Sequence, residues 1–290
     1  MGRRPDNYHE LSTVFQTVTL HDELRFILSD HEKLNLTSNT HEVPLDESNL
    51  ILRAARLLRE KFRVRKGAKI HLTKRIPAGG GLGGGSSNAA VTLLALALLW
   101  DIELERREDF VELGKRIGAD VPFFFTGGTA LGTGMGTEIT ALEDVRVDHL
   151  LVVTPCVRVS TAEAYKSLNA RALTLTESAA ILSVSRATAQ FHDSLPEALH
   201  NDFEPVVFGL EPEIARAKES LMKRGALGAL LSGSGSSVFG IFENAEAKLL
   251  VQESLKNEPG WQIFSCATLA REEYLMALGE CAGPLIERRP

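Results

Sequence analysis

Apolar residues fall at two different spacings along this chain, and the spacing changes from segment to segment. Thr13 to Leu20 is rich in β-branched residues, and Leu24 to Leu28 follows it as a second strand-like run. Leu50, Ala54, Leu57, Leu58 and Phe62 then recur at helical spacing, which predicts an amphipathic helix over Asn49 to Phe62 with Ser48 as its cap. Lys69 to Thr73 alternates like a strand. A long apolar helix is expected from about Ser86 to Trp100. Arg107 to Ile117 sets Phe110, Leu113 and Ile117 on one face of the next helix, and Phe123-Phe-Phe reads as a strand.

The character shifts between Val145 and Leu150. Leu150 to Val153 is an apolar strand, and the chain is then largely helical as far as Gly225, a natural C′ residue for a helix over Glu211 to Arg224. Leu227 to Leu231 and Ser237 to Phe242 read as strands around a glycine–serine turn. A helix over Asn244 to Leu255 and a strand over Gln262 to Cys266 complete a β-turn-β-α-β ending. The pattern implies two units, 1–150 and 151–290, the second closing as a small α+β layer.

Composition narrows the classes. With 290 residues, 44% apolar and 24% charged, the chain is an ordinary globular sequence able to bury a core. A net charge of -6 gives no general attraction to nucleic acid or anionic lipid, so neither is expected as a partner. Cys156, Cys266 and Cys281 are odd in number and widely spaced, which fits free thiols in a reducing cytoplasm better than disulfides or a zinc knuckle. The longest apolar run, Ala89 to Trp100, falls short of the roughly 20 residues that span a membrane. No apolar segment in the first residues suggests a signal peptide.

Three segments carry candidate chemistry. In Pro77 to Gly85, seven residues are glycine or alanine, and a strand leads into the run while a helix leaves it. Glycines let backbone N–H groups converge on one point, and a helix start adds free donors and a positive dipole end, so the run suits phosphate. It is not a Walker A loop, since no Lys-Ser/Thr follows the last glycine. Gly79, Gly81 and Gly84 fit a dinucleotide fingerprint, yet the acidic residues that follow the helix have no apolar strand before them. In Gly118-Ala-Asp120-Val-Pro-Phe-Phe, a partly shielded aspartate needs a hydrogen-bond partner or a substrate proton, and a capping role is an equal reading. In Leu231 to Phe239, Gly233 and Gly235 form either a tight hairpin or a close approach to a ligand.

Taken together these segments resemble a family. Pro77-Ala-Gly-Gly-Gly-Leu-Gly-Gly-Gly-Ser-Ser87 is similar to the ATP loop of the galactokinase–homoserine kinase–mevalonate kinase–phosphomevalonate kinase (GHMP) superfamily, and Leu231 to Phe239 to its C-terminal glycine motif. Gly2 to Leu11, Asn49-Leu-Ile-Leu-Arg-Ala-Ala, Gly118 to Phe124 and Val159-Ser-Thr-Ala-Glu-Ala-Tyr165 resemble the diphosphocytidyl-methylerythritol kinases. The resemblance implies an α+β two-domain GHMP kinase fold, with an ATP-loop domain and a ferredoxin-like C-terminal domain.

It also implies roles. ATP phosphates would lie on Pro77, Ala78, Gly79, Gly80, Gly81, Leu82, Gly83, Gly84, Gly85, Ser86 and Ser87, with Mg2+ as cofactor and Asn49 and Lys74 near the adenine. Asp120 would be the catalytic aspartate. Tyr8, His9, Thr161 and Tyr165 would hold a cytidine diphosphate-linked methylerythritol substrate. No dedicated protein metal ligands are implied, and oligomeric state is left open. In this family a lysine-bearing strand precedes the segment that Gly2 to Leu11 resembles. No residue of this sequence matches that lysine, so slow turnover with nucleotide binding retained is the expectation. Rival readings are a GHMP kinase for homoserine or mevalonate, and a nucleotide-binding protein without kinase activity.

Overall fold

The computed structural model describes residues 11–104, 106–168 and 199–286. Strands β2 (Glu23–Ser29), β3 (Leu34–Ser38) and β4 (Gly67–Thr73) form one sheet with β4 central, β2 antiparallel to it and β3 parallel. The pleat of β4 sorts its side chains: Ala68, Ile70 and Leu72 are buried while Lys69 and His71 face solvent. Helices α1 (Leu50–Phe62), α2 (Gly84–Leu99) and α3 (Arg107–Lys115) contribute to the same core, which joins Ile51, Leu58, Ile70, Leu72, Leu93 and Phe110. Each such side chain contributes about 1.5–3 kcal/mol when fully buried. Helix α2 lies amid this core, which accounts for its apolar run from Ala89 to Leu99, broken only by Thr92.

Strands β1 (Leu11–Gln16), β5 (Thr129–Gly134) and β6 (Glu138–Ala141) make an antiparallel sheet with β5 in the middle. Between α3 and β5 the chain makes a 3₁₀ turn, Val121–Phe125. Phe123-Phe-Phe is therefore not a strand. Pro122 suits the first turn of a helix, where its missing N–H goes unneeded, and turn bonds from Phe123 N to Asp120 O at 3.3 Å and from Thr126 N to Phe123 O at 2.8 Å close the segment. The predicted cap also moves by one residue. Asn49 caps α1, its Oδ1 accepting the Ile51 N–H at 2.9 Å, while the Ser48 hydroxyl donates to Asp46.

The remaining strands, β7 (Leu150–Pro155), β8 (Gly228–Leu231), β9 (Val238–Ile241) and β10 (Trp261–Cys266), form an antiparallel sheet in the order β10-β7-β9-β8. Helices α4 (Thr161–Ser167), α5 (Glu204–Leu210) and α6 (Pro212–Lys223) lie between β7 and β8 in the chain, and α7 (Ala245–Leu255) lies between β9 and β10. That strand order and connectivity is ferredoxin-like. Leu151 and Val153 pack with Ile214, Leu221 and Leu255 on one side of the sheet. Leu150 and Val152 pack on the other with Phe264, Val18 and Leu82, so β7 is buried on both faces. The chain then turns back: Leu285, after α8 (Arg271–Ala277), joins the first core, and the Tyr274 hydroxyl donates to the Phe124 carbonyl at 2.7 Å.

Candidate active site

The glycine loop is held at its root by a buried carboxylate. Asp22, just before β2, has a side chain 1% exposed. It accepts from Lys74 Nζ at 2.6 Å and from Asn88 Nδ2, Arg75 N and Ile76 N at 2.8 Å each. These contacts tie the end of β4 to the second turn of α2, so the loop between them starts and finishes on fixed points. Burial lowers the pKa of Lys74, and the hydrogen bond and charge of Asp22 oppose that shift.

From Pro77 the chain runs through Gly79, Gly81 and Gly83 in left-handed conformations, with φ of 76°, 75° and 67°. Helix α2 then begins with Gly83 as its cap and, among the described residues, no side-chain cap on its first N–H groups. Those donors and the positive end of the helix stand open to an anion.

The second glycine segment presses on the first. Ser237 N donates to Gly80 O and Ser232 Oγ to Gly81 O, each at 3.0 Å. A Cβ built on Gly81 would collide with the Ser232 carbonyl oxygen, and one on Gly235 would collide with the Gly80–Gly81 backbone. The segment turns tightly between β8 and β9, one of its two readings from sequence, and it also packs closely on the first loop.

Asp120 precedes the 3₁₀ turn and does not cap it, since its carboxylate makes no capping hydrogen bond. Among the described residues that carboxylate has no hydrogen-bond or ion-pair partner. It opens to solvent from a recess crowded by protein, and this desolvation raises its pKa above the ordinary carboxylate value. Phe124, on the same turn, lies against Gly83, so the turn that follows Asp120 abuts the loop. Tyr165 lies within reach of the Asp120 charge. Burial raises its pKa first, and the Asp120 charge adds to the shift. Its ring meets Phe203 edge to face at 4.8 Å. Thr161, exposed, opens α4 one turn earlier and on the same helix face as Tyr165.

The structure therefore brings the loop, Asp120 and Tyr165 together. Asn49 and Lys74 have their polar atoms engaged within the protein: Asn49 caps α1 and donates to Pro44 O at 2.6 Å, and Lys74 pairs with Asp22. Tyr8 and His9 lie outside the described residues. Asp22, Asn201 and Phe203 were not singled out by sequence. Their partners are distant in the chain, and no local pattern marks them.

Comparison with known proteins adds the family. The GHMP kinases N terminal domain matches residues 49–128 and the GHMP kinases C terminal domain matches 179–260. The chain is 42% identical over 243 residues to 4-diphosphocytidyl-2-C-methyl-D-erythritol kinase of Chlorobium phaeobacteroides, covering 83% of this chain and 84% of that one. It is 35% identical over 256 residues to the enzyme of the same name from Clostridioides difficile, covering 88% and 86%. A crystal structure of 4-(cytidine 5'-diphospho)-2C-methyl-D-erythritol kinase superposes with a TM-score of 0.74 at 31% identity, over 92% of this chain and 94% of that one. A homoserine kinase from Cytophaga hutchinsonii, at a TM-score of 0.67 and 20% identity over 91% of this chain and 96% of that one, shares the fold. The phosphate-ready loop, the open carboxylate and these matches agree, and the chain belongs to the 4-diphosphocytidyl-2-C-methyl-D-erythritol kinase family of GHMP kinases.

Proposed function

We propose that this protein transfers the γ-phosphoryl group of ATP to the 2-hydroxyl of 4-diphosphocytidyl-2-C-methyl-D-erythritol, a step of the non-mevalonate route to isoprenoid precursors. The observation that carries this reading is an Asp120 carboxylate without a partner among the described residues, its charge reaching Tyr165, on a turn that abuts a loop whose helix opens with no side-chain cap among those residues.

Phosphoryl transfer needs little covalent chemistry from the protein and much positioning. Pro77 to Ser87 holds the phosphates through backbone donors. Asp120 orients the attacking hydroxyl and takes its proton as that oxygen bonds to the γ-phosphorus and the bond from this phosphorus to the β-phosphate oxygen breaks, releasing ADP. Thr161 and Tyr165, with Tyr8 and His9 of the first segment, hold the cytidine end. Asn49 and Lys74 act by keeping the flanks of the nucleotide site in place, consistent with their engaged polar atoms. The reacting atoms meet between the units proposed at 1–150 and 151–290, in a cytoplasmic enzyme using water-soluble substrates.

Mg2+ fits this site as an ion carried on the nucleotide. Such ions need only one or two protein oxygens beside phosphate and water. No cluster of three acidic, His or Cys ligands occurs among the described residues. The Ser86 and Ser87 hydroxyls, at the start of α2, are hard oxygens that would hold it. When bound it offsets the phosphate charge.

The test is a steady-state assay with ATP and each of four acceptors: the cytidine substrate, its uridine analogue, homoserine and mevalonate. Turnover confined to the cytidine compound is expected. Equal turnover of the uridine analogue, or preference for homoserine or mevalonate, overturns the assignment.

A further inference from the structure

The mouth of α5 contains a residue with an unusual number of commitments. Asn201, half-buried, donates both amide hydrogens to the second glycine turn, at 2.9 Å to Leu231 O and 2.8 Å to Gly233 O. Its Oδ1 accepts the Phe203 N–H at 2.9 Å. Three of its four hydrogen-bonding positions are filled, and no other residue type offers two donors and an acceptor in this compact, uncharged form. Glu204 strengthens the same joint: it accepts Leu231 N at 3.1 Å while Lys218 Nζ holds its two oxygens at 2.6 and 2.7 Å.

Each partner of Asn201 touches one side of the site. The turn it holds is the one whose Ser232 and Ser237 bond to Gly81 and Gly80 of the phosphate loop. Phe203, whose N–H it fixes, backs the Tyr165 ring, and Tyr165 lies within reach of the Asp120 charge. The donor side and the acceptor side thus meet at one carboxamide. A phosphoryl transfer depends on the distance and angle between its two substrates, and misplacement of about 1 Å can cost 10²-fold. A single strut that sets both walls therefore has leverage over the rate.

We propose that Asn201 is a positioning residue for the transfer, joining the phosphate loop to the cytidine wall. The claim rests on the function proposed above for Tyr165 and the loop, and it involves no contact of Asn201 with substrate.

The test compares Asn201→Ala and Asn201→Asp with the wild-type protein, with Asp202→Asn as control. The Asp202 side chain is bonded to exposed His200 at 2.7 Å. Measurements are kcat, KM for both substrates, affinity for a non-hydrolysable ATP analogue and Tm, all well below the melting range. Asn201→Ala removes the two donors to the turn and is expected to lower kcat/KM for ATP and for the cytidine substrate together, each by roughly tenfold or more. Asn201→Asp keeps the size but points a carboxylate oxygen at two carbonyl oxygens, so its loss should be the larger. Asp202→Asn should match wild type. A purely structural Asn201 would lower Tm and leave both kcat/KM values and analogue affinity unchanged, which overturns the proposal.

If wild-type protein does not phosphorylate the cytidine compound, the functional reading fails and analogue affinity decides the inference. Weakened binding in Asn201→Ala supports the strut, and unchanged binding overturns it. Should Asn201→Asp not fold, the alanine variant carries the comparison.

Discussion

Gly79 and Gly81 offer a matched pair for the contact between the two glycine segments. Both adopt left-handed backbone, at φ of 76° and 75°, so an alanine at either costs about 1–2 kcal/mol in conformational strain. Their surroundings differ. A Cβ on Gly79 meets nothing within 4 Å, whereas one on Gly81 collides with Ser232 O and lies 2.8 Å from Gly235 N. These are backbone atoms of a turn pinned by Asn201, so relief requires the two segments to part. Overpacking of this kind costs about 1–3 kcal/mol. Gly81→Ala should therefore be less stable than Gly79→Ala by about that amount, a gap of a few degrees or more in Tm at roughly 2–4 °C per kcal/mol. Gly235→Ala introduces the same collision from the other side. Once one alanine has parted the segments the second adds little, so the double variant Gly81→Ala/Gly235→Ala should cost less than the sum of the singles. Thermal and urea unfolding of the four variants tests this. Equal stability of Gly79→Ala and Gly81→Ala, or strict additivity of the double variant, would refute the contact as described.

Three other outcomes follow from the site. Asp22→Ala leaves the Lys74 ammonium buried without its partner, a loss of about 3–5 kcal/mol, and calorimetry should show a Tm lower by on the order of 10 °C. Tyr165→Ala should raise KM for the cytidine substrate by roughly one to two decades, from about 1–3 kcal/mol of lost base stacking, while analogue titration shows unchanged ATP affinity. The third concerns pH. A base must be ionised to work, and the recess raises the pKa of Asp120, so the acidic limb of kcat/KM should fall at a pH above the ordinary aspartate range. By the same sign the folded state loses stability as pH rises through that raised value. Asp120→Asn should unfold at higher urea than wild type at neutral pH, and the gap should close in acid. A limb at the ordinary aspartate value, or no stability gain, would show that Asp120 is not desolvated.

Much of this fold was readable because long elements carry their own periodicity. Helices α1, α2 and α3, strands β2, β4, β7 and β10, and the β8–β9 hairpin fall close to where apolar spacing puts them. The elements that escaped lack that signal. Strand β5 reads Thr-Ala-Leu-Gly-Thr-Gly, where glycines and threonines replace an alternating apolar face, and β6 is only four residues long. The Phe123 run misled because buried aromatics in succession look alike in a strand and in a 3₁₀ turn. The site divides the same way. The phosphate loop and the Asp120 segment are local motifs, so their residues could be named from sequence. Asp22 could not, since its carboxylate matters only through Lys74 and Asn88, far along the chain. Asn201 is likewise defined by carbonyls about thirty residues away, at Leu231 and Gly233.

The most direct test of the account is Asp120→Asn, assayed for phosphoryl transfer from ATP to 4-diphosphocytidyl-2-C-methyl-D-erythritol and for analogue binding in the same preparation. Asparagine keeps the shape of the side chain and removes the base. Turnover should fall by about 10²–10⁴-fold, the usual contribution of a general base, with ATP-analogue affinity intact. An Asp120→Asn protein that retains wild-type turnover would contradict the account, and would leave Asp120 as a turn residue that happens to face the recess.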